Sequence, residues 1–287
     1  MSNRGISWMK FPTKKVFSIE YFGESEMGKT HNANTYPDVA ICDTISQGDV
    51  WQIAEKFGNK MVMRAKTFDD IRRFIQYCVV NPKIESVAID SGADLVEMAE
   101  TEWLKEKNRK AVFIPGEGGF QWSEVYDKVD ELIQKVKMAN KYLIITSQLK
   151  DEWMKTLGQK EAVKTGNRIR DGYKKLVWGL SVRVRLVDGI TDKDGILHFE
   201  DRVFGKVVKN RFLPKRVQKP YLFDSTFQGL VEDGELFDVW CSNYDKEACD
   251  LKKCVVCPKY VKRDIVKEAR AYLVSIGDLE KDMTDEA

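Results

Sequence analysis

The chain has 287 residues, 43% hydrophobic and 32% charged, which excludes a mainly disordered polypeptide and suits one large domain or two small ones. Lys and Arg number 47 against 45 Asp and Glu, a formal net charge of +2, so any nucleic-acid surface has to come from local segregation of charge. No apolar run approaches the roughly 18 residues that a membrane helix needs, and residues 1–15 are basic without an apolar h-region; neither a secretory signal nor a membrane partner is expected, and the expected compartment is the cytoplasm.

In chain order, residues 16–22 (VFSIEYF) read as a strand running into a glycine-containing turn. Residues 39–42 (VAIC) form a short apolar strand ending at Asp43. Over residues 68–80, Ile71, Phe74, Ile75 and Cys78 recur at helical spacing, and Pro82 stops the helix. Residues 84–89 (IESVAI) are a strand ending at Asp90. Residues 123–139 are the clearest helix, with Val125, Val129, Leu132, Ile133 and Val136 on one face and Ser123 as N-cap. Residues 142–146 (YLIIT) are a strand; 180–187 alternate around Arg183 and Arg185; 196–212 read as a strand pair with Gly205 between. Strands alternating with helices predict an α/β fold with a mostly parallel sheet and antiparallel edge strands. A soft boundary near residues 213–220 separates a core, 1–215, from a small Cys-rich C-terminal element, 216–287, with a helix at about 261–275 and an acidic tail.

Gly23, Glu24, Ser25, Glu26, Met27, Gly28, Lys29 and Thr30 match G-x-x-x-x-G-K-[ST] in full. The glycines let successive backbone N–H groups curl toward phosphate oxygens. Lys29 supplies a point charge, Thr30 a hydroxyl for Mg²⁺, and the helix starting there its positive end. Glu24 and Glu26 must point outward, because carboxylates repel phosphates. His31, directly after Thr30, either lines the nucleotide or lies on the surface of the first turn. A phosphate loop also needs an acidic residue at the end of a neighbouring strand. Asp90 ends the longer apolar approach and is preferred; Asp43 is the competitor.

The order of these parts resembles the RecA-like ATPases, most closely the phage-encoded RecA-core ATPases of recombination and single-strand annealing. The resemblance covers about residues 17–214. It is carried by residues 23–30, by VAIDS at 87–91, by YLIITSQ at 142–148 and by VVKNR at 207–211. It implies a RecA-like P-loop core, ATP and Mg²⁺ as cofactors, hydrolysis, single-stranded DNA as partner and a homo-oligomer, ring or filament. It implies that Gln148 senses the γ-phosphate, the alternative being a strand-end Gln satisfied by backbone. It implies that Arg211, with Lys209, reaches a neighbouring protomer's site as a finger, the alternative being a solvated basic edge. The family's Glu after the second strand is missing from Cys42-Asp43-Thr44-Ile45-Ser46. Asp43 stands in as the base, with Asp49 and Glu117 as weaker choices, and efficient hydrolysis is the property this touches.

Two segments are candidates for DNA. Residues 108–122 hold Phe120 and Trp122, which either stack on bases or pack on the core. Residues 155–175 form a basic loop with Lys155, Lys160, Lys164, Arg168, Arg170, Lys174 and Lys175, which neutralises phosphates or is simply solvated. Cys241, Cys249, Cys254 and Cys257 suit a tetrahedral Cys₄ site for zinc, with an iron–sulfur cluster second and free thiols the alternative. Two rival functions stay open: a small-molecule P-loop kinase, and a non-hydrolysing module that assembles when it binds nucleotide.

Overall fold

The computed structural model describes residues 16–44, 50–59, 61–114, 119–120, 122–154, 163–171, 179–191, 197–212, 221–222 and 224–232. Cys241, Cys249, Cys254, Cys257, Lys155, Lys160, Lys174, Lys175, Asp49 and Glu117 lie outside the described residues, as does the helix expected at about 261–275. In chain order the elements are β1 (Ser18–Gly23), α1 (Lys29–Asn34), β2 (Val39–Asp43), α2 (Val50–Lys56), β3 (Val62–Arg64), α3 (Phe68–Val80), β4 (Ser86–Asp90), α4 (Gly92–Glu106), β5 (Phe113–Ile114), β6 (Gly119–Phe120), α5 (Trp122–Met138), β7 (Tyr142–Met154), β8 (Val163–Arg170), β9 (Val182–Thr191), β10 (Leu197–Asn210) and β11 (Tyr221–Leu222), followed by a π-helical turn at Gln228–Glu232.

The fold is α/β with a mostly parallel, mixed sheet. Its strands run in the order β11-β10-β9-β1-β7-β4-β2-β3, with β8 paired to β7 beyond this path. From β9 to β3 every neighbouring pair is parallel; β10, β11 and β8 join antiparallel. β1, β2 and β4 are buried along their whole length, as strands covered on both faces must be. One face packs on α3, α4 and α5 through Phe74, Leu95, Trp103, Val129 and Ile133; the other packs Ile19, Tyr21, Ile41 and Ile144 against Ala33 of α1, Val50 of α2 and Leu230. Among the described residues no helix is long and apolar enough to cross a membrane.

α3 has the bounds that its periodicity predicts. Thr67 and Asp70 cap it reciprocally, the Thr67 hydroxyl accepting from the Asp70 N–H and the Asp70 carboxylate accepting from the Thr67 N–H. Three expectations change. α5 begins at Trp122, so Ser123 lies inside the first turn and does not cap it. Residues 197–210 are one continuous strand, and Gly205 sits within it because a Cβ there would approach Val184 Cγ1 to 2.8 Å. The packed core also runs past residue 215: β11 pairs with β10, and Leu222 and Leu230 are buried with the β1 face.

Candidate functional site

Parallel pairing brings the C-terminal ends of β1, β2 and β4 to one edge of the sheet, level with the middle of β7. Gly23 ends β1 opposite Gln148 of β7, and Asp90 ends β4 opposite Asp43 of β2. That edge is where ligands bind in open α/β sheets.

The loop at residues 23–30 takes the curl its glycines allow. Gly28 has φ +76°, a left-handed conformation that strains any side chain. A Cβ on Gly23 would lie 2.9 Å from the Leu186 carbonyl oxygen, so the close passage of β9 also requires glycine there. α1 has six residues, so an anion here would meet the loop and Lys29 more than a long helix dipole. Lys29 is 9% exposed, and its ammonium donates to the Gly23 carbonyl at 3.2 Å and to the Glu24 carbonyl. Burial lowers its pKa, and the charges of Asp90 and Glu24 work against that shift.

The Thr30 hydroxyl donates to Asp90 Oδ2 at 2.5 Å, and the Thr146 hydroxyl donates to the other carboxylate oxygen. Asp90 is buried, and the turn after it is held by the Thr44 N–H on the Asp90 carbonyl at 2.7 Å and the Ser91 N–H on the Thr44 hydroxyl at 2.6 Å. A hydroxyl beside a carboxylate is the hard-oxygen pair that Mg²⁺ selects. The residues present therefore fit a Mg²⁺–polyphosphate group.

Asp43 lies beside Asp90 in register, fully buried, and its Oδ2 accepts from Nε and Nη2 of Arg64, both at 3.3 Å. Its carboxylate is committed to a cation on β3, while Asp90 touches Thr30. Of the two candidates for the metal carboxylate, Asp90 is the one hydrogen-bonded to the loop, through Thr30. Gln148 is exposed next to Gly23, with its backbone carbonyl taken by the Asp171 N–H at 2.8 Å. His31 is exposed and packs edge-on against Phe57 at 4.7 Å between ring centroids.

Sequence reasoning missed one wall of the site. A cleft of about 250 Å³ opens beside the loop, between Gly28, His31 and Asn32 on one side and Asp224, Ser225 and Thr226 on the other. The Asn32 amide donates to the Ser225 hydroxyl at 3.1 Å, and the Tyr21 hydroxyl to the Ser225 carbonyl at 2.7 Å. Burial pushes the Tyr21 pKa up, so this donor stays protonated. Residues 224–226 carry no motif, and their place beyond the expected boundary hid them.

The basic loop expected at residues 155–175 becomes, where it is described, the strand β8, folded on the end of β7 as a two-stranded ribbon. Its described cations Lys164, Arg168 and Arg170 each meet a carboxylate of the same chain. Lys164 pairs with Asp151 at 2.7 Å, and Arg168 with Glu24 at 3.0 Å. The Arg170 side chain is 8% exposed, and its Nε donates to Glu20, a fully buried carboxylate that also accepts from Arg183 Nε at 2.7 Å and the Ser147 hydroxyl at 2.7 Å. Arg170 is thus a structural counter-ion rather than a contact open to phosphates, because its side chain is buried against a buried carboxylate that it helps Arg183 to neutralise. Trp122 stacks on Tyr126 at 5.3 Å and packs against the α3–α5 core, so it is no free platform for a base. Phe120 lies on β6, opposite Phe113 of β5. Trp153, on the ribbon, is 62% accessible, the most exposed of the aromatics among the described residues; without a motif around it, nothing in the sequence marked it.

Arg211 stands at the other edge of the sheet, with Lys209 between it and the loop. Lys209 pairs with Arg183, and the Arg211 N–H donates to the Ser181 carbonyl at 2.9 Å, level with Ser18. β1 spans the sheet between Arg211 and Gly23, about 16 Å at roughly 3.3 Å per residue; Lys209 is level with Glu20 through Arg183, three residues from Gly23 along that strand. The Lys209 pKa is pushed down to about 8, by burial first and then by Arg211, Arg183 and Lys137, with Glu20 opposing.

No family model and no curated protein matches this chain.

Proposed function

We propose that the chain is a RecA-like P-loop ATPase that acts on single-stranded DNA, in recombination, annealing or replication of the phage-encoded type, as a homo-oligomer in the cytoplasm. One observation carries the nucleotide reading. Asp90 holds the Thr30 hydroxyl at 2.5 Å while the buried Lys29 ammonium lies in the same loop. Thr30 and Asp90 would hold Mg²⁺, Asp90 through water, and Lys29 the β- and γ-phosphates; the cleft beside Asn32 and Ser225 would take the base. Bound Mg²⁺ supplies charge neutralisation at the phosphates.

The place of β7 supports a polymer-acting ATPase over a small-molecule kinase. It runs between β1 and β4, so Gln148 stands beside the loop and the same strand continues outward as the ribbon. A polar sensor is thereby covalently continuous with a protruding element. The position of Arg211, at the edge away from its own Gly23, supports a finger that works only on a neighbouring protomer. The pairing of Asp43 with Arg64 favours slow turnover in the isolated chain. Zinc on Cys241, Cys249, Cys254 and Cys257, with an iron–sulfur cluster as the second choice, belongs to the same proposal.

Steady-state ATP hydrolysis with and without single-stranded DNA tests this reading, with Lys29→Ala as the blank. Stimulation by DNA is expected. A DNA-indifferent rate with phosphate transfer to a small acceptor would replace the reading by the kinase. ATP-dependent assembly without turnover would replace it by the silent module.

A further inference from the structure

We infer that Arg168 is a positioning residue for nucleotide: it neutralises Glu24, a carboxylate set into the phosphate loop, and so ties nucleotide affinity to the state of the β7–β8 ribbon. The inference rests on the reading of residues 23–30 as a nucleotide loop.

Glu24 follows Gly23 directly, and its own carbonyl accepts from the Lys29 ammonium. Its carboxylate is therefore attached to the residue whose backbone steadies the phosphate-binding charge. A lone carboxylate there repels a polyphosphate over several ångströms. Arg168 Nη2 lies 3.0 Å from Glu24 Oε2 and donates to the Leu149 carbonyl at 2.9 Å, with Asp151 Oδ1 3.7 Å from its Nε. The neutralising charge thus belongs to the ribbon, not to the loop.

Two residues on, Arg170 points to the same side of β8 and is locked on buried Glu20. The two arginines differ in exposure. Arg170 and Glu20 are 8% and 0% exposed, Arg168 and Glu24 43% and 46%. The inner pair anchors the ribbon on β1. The outer pair is soft, since an exposed ion pair is weak and opens to a competitor for either partner. A polyanion that takes Arg168 leaves Glu24 uncompensated and weakens nucleotide. By reciprocity, nucleotide in the loop strengthens the hold of Glu24 on Arg168 and draws the ribbon toward β1.

The test is Mg·ADP binding by calorimetry to the full chain and to Arg168→Gln, Arg168→Lys, Glu24→Gln and the Glu24→Gln/Arg168→Gln double variant, at low and high salt. Arg168→Gln is expected to weaken binding about fivefold at low salt and less at high salt, as a screened charge effect requires. Arg168→Lys should keep most of the affinity, because only the charge is needed. In the Glu24→Gln background the same Arg168→Gln change should cost less than about twofold, since no carboxylate is left to neutralise. A fivefold loss that persists in that background would mean Arg168 meets the phosphates itself, and would overturn the inference. So would an Arg168→Gln affinity equal to wild type while Lys29→Ala abolishes binding. Absence of binding by the wild-type chain would overturn the nucleotide loop and this inference together.

Discussion

Thr30 and Asp90 are 60 residues apart in the chain and 2.5 Å apart in space, hydroxyl to carboxylate. Asp90 can serve this contact because its second oxygen is already occupied by Thr146, which fixes the rotation of the carboxylate. Asp90→Asn preserves the shape and removes the charge. It is expected to lower Mg²⁺-dependent ATP turnover about 100-fold, the scale of losing a preorganised charge at a phosphoryl site, while metal-free nucleotide binding persists. A Mg²⁺ titration of both activities checks this, and unchanged turnover would remove Asp90 from the metal.

Lys29→Ala is expected to abolish tight ATP binding without unfolding the chain. The wild-type ammonium is buried and its pKa lowered by that burial, so the free protein is strained by the charge and the anion relieves it. Calorimetry with ATP reads the loss, and thermal melting should show a stability equal to or above wild type.

Arg211→Ala is expected to leave ATP binding intact and to cut turnover about 1,000-fold, the lower range for a trans-acting arginine. Mixing Arg211→Ala protomers with Lys29→Ala protomers should restore part of the activity. In the mixed interface one chain brings an intact loop and its neighbour an intact Arg211. No recovery on mixing, or normal turnover of Arg211→Ala alone, would end the finger role.

Glu20→Ala is expected to destabilise the fold by about 3–5 kcal/mol, since it strands two arginines whose side chains are 8% and 12% exposed. A urea titration reads the shift in midpoint. A loss below about 1 kcal/mol, the value of an exposed pair, would mean that Arg170 and Arg183 find other partners.

Lys209, with its pKa pushed down to about 8, is expected to acylate faster than the other lysines near pH 8.5, read by mass spectrometry. The sign on stability follows from the same shift. Between about pH 8 and the unfolded lysine value near 10.4, the unfolded chain binds more protons than the folded one, so stability rises with pH across that window. Lys209→Met should remove this rise and shows whether the residue carries it.

Much of this was readable before any coordinates. The bounds of α3 follow from Ile71, Phe74, Ile75 and Cys78 at helical spacing and from Pro82, all interactions within a turn or two. The loop at residues 23–30 is likewise local, because Gly28 must be left-handed for Lys29 and Thr30 to start a helix together. Asp90 was preferred over Asp43 from the length of its apolar strand. Other positions misled for the opposite reason. Gly205 looked like a turn because its constraint, a 2.8 Å approach to Val184 Cγ1, comes from another strand. Arg168 and Arg170 read as parts of one basic loop, phosphate-binding or simply solvated, and only the folding of β8 back along β7 sends one to a half-exposed Glu24 and the other to a buried Glu20. Trp122 and Trp153 are indistinguishable by type, yet one packs on Tyr126 and the other stands in solvent. Periodicity and motif spacing record contacts between near neighbours in sequence, so they were legible in the residues alone. Strand order, register and the partner of each buried charge are contacts across tens to hundreds of residues, and the packing of the whole sheet settled them.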